Sequence, residues 1–112
     1  MFATLDEIAR YEVARCAFER RRPIWFPILT TAVRHPRSER QEVEAAVSRA
    51  VLELFDDGLI SAFRVPRFWG SPDAIDRDAL VEALTDPRNL RPRMQSVAKL
   101  PRLELTPAGW IA

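Results

Sequence analysis

Val51-Leu52-Glu53-Leu54-Phe55-Asp56-Asp57-Gly58-Leu59-Ile60 carries an amphipathic helix into a strand. Upstream of the junction, Val43, Val47, Ala50, Val51 and Leu54 recur at three- and four-residue steps and form one apolar face. Glu39, Glu42, Glu53 and Asp56 fall away from that face. Gly58 is placed to take the left-handed conformation that ends a helix without strain. Leu59 to Val65 then reads as a strand. Leu59, Ser61, Phe63 and Val65 point one way, and Ile60, Ala62 and Arg64 the other. Pro66 ends the strand or marks a sheet edge.

Toward the N-terminus, Ser38-Glu39-Arg40-Gln41 has the spacing of a capping box, which predicts a helix from Ser38 to about Asp57. Ile24 to His35 reads as a shorter helix with Pro27 in its first turn, where a missing N–H costs nothing. Trp25, Phe26, Ile28, Leu29 and Val33 are its expected core residues. A first helix is expected from Leu5 to about Arg21, capped by Thr4-Leu5-Asp6-Glu7. Its apolar positions, Tyr11, Cys16 and Phe18 among them, cover most of the circumference. That predicts burial on two sides, one of them a candidate for contact with a second chain. Arg20, Arg21 and Arg22 suit the negative end of this helix, and Pro23 stops it.

Toward the C-terminus, residues 66–101 form a long excursion. Ser71-Pro72-Asp73 predicts a helix over about 73–85, with Ile75, Ala79, Leu80, Ala83 and Leu84 on its apolar side and Thr85-Asp86-Pro87 ending it. Pro87 to Arg102 contains Arg88, Arg91, Arg93, Lys99 and Arg102 and no acid. Met94 to Leu100 is a candidate strand. Leu103-Glu104-Leu105-Thr106 alternates as a short strand, Thr106 can cap the segment after it, and Pro107-Ala108-Gly109-Trp110 is a turn or the stub of a helix.

The segment ending in Asp56-Asp57-Gly58-Leu59-Ile60 resembles the end of the third helix and the start of the wing in the multiple-antibiotic-resistance and phenolic-acid repressor families of bacterial regulators. Leu103-Glu104-Leu105-Thr106-Pro107-Ala108-Gly109 resembles the strand after the wing in the same families. The resemblance covers Ser38 to Ala112, with the excursion unmatched. It implies an α+β winged helix: three N-terminal helices and a small antiparallel sheet, with an extra helix inserted in an elongated wing, all within one domain. The function it implies is that of a non-catalytic DNA-binding regulator. Such readers insert the third helix into the major groove. In this chain Ser38 to Asp57 holds six acids against Arg40 and Arg49, which a polyanion repels. Phosphate contacts are therefore expected from two basic clusters instead: Arg34, Arg37 and Arg40 at the helix junction, and Arg88, Arg91, Arg93 and Lys99 in the wing. Both clusters can equally be solvated loops.

A second function class stays open. Arg67, Phe68 and Trp69 place two aromatics beside arginine, a composition enriched at protein-binding hot spots. Together with the acidic third helix they suit an immunity- or adaptor-like module that binds a protein. The same aromatics can instead anchor the excursion on the core.

Composition narrows the rest. The chain has 112 residues, and its 17 basic residues, Lys99 the only lysine, balance 16 acidic ones. No strongly basic coat protein is built that way. Cys16 is the only cysteine, so no internal disulfide or thiolate cluster forms; in its apolar setting it reads as an inert core thiol. His35 is the only histidine, and the three glycines form no phosphate loop. No catalytic residue, metal site or cofactor is expected. No apolar run reaches the roughly 18 residues of a membrane span, and no apolar leader is expected, since Asp6, Glu7 and Arg10 sit where its apolar core would be. A cytoplasmic protein is expected, with DNA or a protein as partner and a homodimer through the first helix.

Overall fold

The computed structural model describes residues 3–19, 22–64, 73–91 and 100–111. The helices are α1 (Leu5–Glu19), α2 (Phe26–Arg34), α3 (Arg40–Asp56), α4 (Arg77–Thr85) and α5 (Pro107–Ile111). The strands are β1 (Ile60–Arg64), β2 (Asp73–Ile75) and β3 (Arg102–Leu105), and a 3-10 turn spans Pro87–Leu90. Among the described residues this is an α+β layout of five helices and a three-stranded antiparallel sheet in the order β2-β1-β3.

The junction that decides the fold forms as its sequence dictates. Gly58 sits at φ +74°. The Leu59 N–H reaches back to the Leu54 carbonyl at 3.0 Å and the Gly58 N–H to that of Phe55 at 3.0 Å, the paired bonds of a Schellman cap. Val43, Ala46, Val47, Ala50, Val51 and Leu54 are the buried face of α3. In β1, Ile60 and Ala62 face the core. Phe63, on the opposite pleat, is buried as well. β3 pairs with β1 in the register Ile60↔Leu105 and Ala62↔Leu103. An isolated bridge joins Pro23 to Arg102, and the Ile24 N–H donates to the Pro101 carbonyl at 3.2 Å. The segment between α1 and α2 therefore lies alongside β3.

The second sequence pattern meets the first in space. The Thr106 N–H donates to the Leu59 carbonyl at 3.0 Å, and the Thr106 hydroxyl donates to the Gly58 carbonyl. The same hydroxyl accepts from the Gly109 N–H at 3.1 Å and so caps α5. Gly109 lies so close to Leu59 that an added Cβ would overlap the Leu59 carbonyl oxygen. Gly58, Leu59, Thr106 and Gly109 are thus one clip between the end of α3 and the start of α5.

Three expectations are corrected. Ser38 does not cap α3: its hydroxyl pairs with His35 Nδ1 at 2.7 Å, and Glu39 occupies the cap position without a side-chain bond. The excursion helix does not start at Asp73. Asp73-Ala74-Ile75 pairs with β1 as β2, and Asp76 caps α4 by accepting from the Ala79 N–H at 2.9 Å. Ile75 therefore belongs to the sheet, while Leu80, Ala83 and Leu84 of α4 do enter the core. The α2 helix begins at Phe26, two residues after Ile24; Leu29 and Val33 are exposed and only Ile28 of the expected set on that helix is fully buried. On α1, Ile8, Ala9, Val13, Cys16 and Ala17 are buried within the chain, while Tyr11 and Phe18 on the other side are exposed. The candidate strand at Met94 to Leu100 lies outside the described residues except for its last, Leu100, which is buried. No helix among the described residues is long and apolar enough to cross a membrane.

Candidate functional site

Of the arginines predicted to contact phosphate, Arg34, Arg40 and Arg88 are committed to acids of the chain itself. Arg34 Nη1 lies 3.1 Å from Glu12 Oε1, Arg40 Nε is 2.9 Å from Glu44 Oε1, and Arg88 Nη2 is 2.9 Å from Asp86 Oδ2. Hydrogen bonding by Asp86 holds Arg88 still more firmly protonated than usual. Asp86 is the acid just before the acid-free stretch, so counting from Pro87 overlooked the neutralising partner. Arg37 and Arg91 are exposed and form no ion pair with a described residue. Arg93, Lys99, Arg67, Phe68 and Trp69 lie outside the described residues.

Most acids of α3 are likewise paired, Glu42 being exposed without an ion pair to a described residue. Arg10 of α1 bonds Glu53 at 3.1 Å and sits 3.7 Å from Asp57; in the opposite sense Arg49 of α3 bonds Asp6 at 2.9 Å. Arg77, at the start of α4, grips Asp56 with Nε at 2.8 Å and Nη2 at 3.2 Å. These crosslinks tie α1, α3 and α4 together. Leu80, Ala83 and Leu84 of α4 join the core that the buried face of α3 forms, and Arg77 ties the start of α4 to the last residue of α3.

Several large apolar side chains also stand exposed. Tyr11 is 60% exposed, Phe18 57%, Trp110 59% and Ile111 87%. Tyr11 and Phe18 are seven residues apart on α1 and so share its outward face with Ala14 and Glu7. Trp110 of α5 packs on Phe18, with ring centroids 5.1 Å apart, and extends the face. Beside this ridge runs a groove of about 460 Å³, lined by Tyr11, Ala14, Leu54, Leu59, Leu105 and Gly109. The clip at Thr106 positions α5, and with it half of the face. A second groove of about 440 Å³ lies between α2 and α3 beside Trp25, Ile28 and Val43.

Sequence reading missed two features. Glu12 is a buried carboxylate, its side chain 1% exposed, held by Arg34 and by Arg15 at 3.5 Å. The signal was the run Ile8, Glu12, Cys16, whose four-residue steps place Glu12 on the core face. The apolar ridge was foreshadowed only by the spread of apolar residues around α1.

Cys16 offers no nucleophile. Burial, and next the Glu19 carboxylate, pushes its thiol up to about 12, so the thiolate is scarce at neutral pH. In native buffer, Cys16 is expected to resist an aromatic disulfide reagent and to react fully once denaturant unfolds the chain. Rapid native labelling would contradict its burial. Among the described residues no group of three His, Cys, Asp or Glu could hold a metal ion. Comparison with protein-family models, curated proteins and solved structures gives no match to this chain.

Proposed function

We propose that this chain is a non-catalytic winged-helix module that works by binding protein, with the apolar face of α1 and α5 as its contact surface. The order helix, helix, long helix, strand, excursion, strand supports the winged-helix layout, as does the bridge that sets the segment after α1 beside β3. One observation carries the functional half. The charges of α1, α3 and α4 are largely spent on one another, while three large aromatic side chains stand more than half exposed on a single face. Contiguous exposed apolar surface of that kind marks interaction sites. The acid-rich α3 is a poor match for a polyanion.

Arg37 and Arg91, exposed and without an ion pair to a described residue, favour the alternative of a DNA-binding regulator. Fluorescence anisotropy with duplex DNA across a salt series separates the two. Protein binding as the main role predicts no saturable DNA binding at moderate salt. Binding that falls steeply with salt and weakens in an Arg37→Ala, Arg91→Ala double variant would instead establish the regulator.

A further inference from the structure

We infer that the α1–α5 face takes a second copy of this chain, the two α1 helices crossing antiparallel near Ala14. The inference rests on the protein-binding role proposed above and names its partner. The ridge Glu7, Tyr11, Ala14, Phe18 has its small residue in the middle and its aromatics three and four residues to either side. A two-fold axis near Ala14 sets Tyr11 of one copy against Phe18 of the other, and the reverse, as an isologous contact requires. Alanine at the crossing lets the helix axes approach to the roughly 8–10 Å of packed helices.

Charge selects the antiparallel direction. The outward face of α1 is acidic at its start, where the Glu7 carboxylate pairs with no described residue. Just past its end Arg22 is half exposed, 4.0 Å from Glu19 and over the Phe26 ring at 4.6 Å. An antiparallel copy brings Glu7 to the end that carries Arg22 and opposes the two helix dipoles favourably. A parallel copy sets like against like. Area agrees with a copy of equal size. Tyr11, Phe18, Trp110 and Ile111 leave on the order of 900 Å² of apolar side chain exposed when doubled by the axis. That is about the apolar share of a standard interface of roughly 1,600 Å². The groove beside Tyr11 and Leu105 supplies a hole for a knob from the partner.

Sedimentation equilibrium tests the inference on the intact chain. The wild type is expected to be a dimer. Tyr11→Glu and Phe18→Glu are each expected to raise its dissociation constant about tenfold or more. Both side chains are more than half exposed, so the helical circular dichroism of each variant should match the wild type. Val33→Glu, an equally apolar exposed site on α2, should leave the mass unchanged. In a second arm, Ala14→Cys is expected to give a disulfide-linked dimer on oxidation, while buried Cys16 stays reduced. A wild type that stays monomeric at its highest soluble concentration overturns the inference. So does a dimer indifferent to Tyr11→Glu and Phe18→Glu, or one that Ala14→Cys cannot link. A monomer that ignores DNA leaves the protein-binding role standing with another partner. Salt-sensitive DNA binding removes that role and leaves the dimer untouched.

Discussion

Replacing Arg34 by alanine is expected to destabilise the fold by roughly 2–3 kcal/mol. The cause is Glu12, whose side chain is 1% exposed and whose Oε1 accepts from Arg34 at 3.1 Å. Without Arg34 the buried carboxylate keeps, among the described residues, only Arg15, 3.5 Å away, and an uncompensated buried charge is costly. The estimate stands below the usual figure for a broken buried pair because Arg34 and Arg15 are each about half exposed and well screened. Arg34 also lies over the Tyr11 ring at 5.2 Å, so its loss loosens one aromatic of the exposed ridge. Glu12→Leu should cost far less, under about 1 kcal/mol, since both arginines can return to water and leucine suits the surrounding Ile8, Val13 and Cys16. Urea unfolding of the single and double variants measures the asymmetry. Equal losses for Arg34→Ala and Glu12→Leu would show that the pair does not act as a buried charge and its neutraliser.

Gly109→Ala is expected to cost about 1–3 kcal/mol and to lower Tm by roughly 5–15 °C. The new Cβ meets the Leu59 carbonyl oxygen, a backbone atom that cannot swing aside. That carbonyl accepts from the Thr106 N–H, and the Leu59 N–H closes the cap on α3. Relief must come from moving α5, which breaks the Thr106 clip and draws Trp110 away from Phe18. Gly58→Ala is the informative comparison. Nothing lies within 4 Å of the Cβ it would add, so only the strain of φ +74° remains, about 1 kcal/mol. Thermal unfolding should therefore rank Gly109→Ala well below Gly58→Ala. The opposite order would mean that α5 is not seated on Leu59.

Much of the fold was legible because it is written locally. The α3 face, the glycine that ends it and the Thr4 cap each follow from residues within two helical turns of one another. The two motifs at Gly58 and Thr106 were legible one by one. That they form a single clip was not, since the Thr106 hydroxyl reaches the Gly58 carbonyl across 48 residues. β2 went unseen because three residues, Asp73-Ala74-Ile75, carry no alternation worth the name and owe their conformation to β1. A helix signal at Ser71-Pro72-Asp73 competed with the cap actually used, Asp76.

The candidate site was less legible for a related reason. A charge in a sequence counts as free until the fold supplies its partner. Arg10 meets Glu53 and Arg49 meets Asp6 across 43 residues, while Arg77 meets Asp56 across 21. The acidic α3 and the basic junction therefore looked like binding surfaces. Exposure of Leu29 and Val33 was hidden the same way: an apolar side chain at helical spacing reads as core whether or not anything covers it. The spread of apolar residues around α1 was the one sign that pointed to the ridge.

The central claim is that this protein works through the apolar face of α1 and α5 and not through its arginines. The most direct test is a residue-resolved amide NMR map, recorded on dilution and again on addition of duplex DNA. Dilution is expected to shift Tyr11, Ala14, Phe18 and Trp110, and DNA to leave Arg37 and Arg91 unmoved. Shifts at Arg37 and Arg91 on adding DNA, with α1 and α5 silent on dilution, would contradict it.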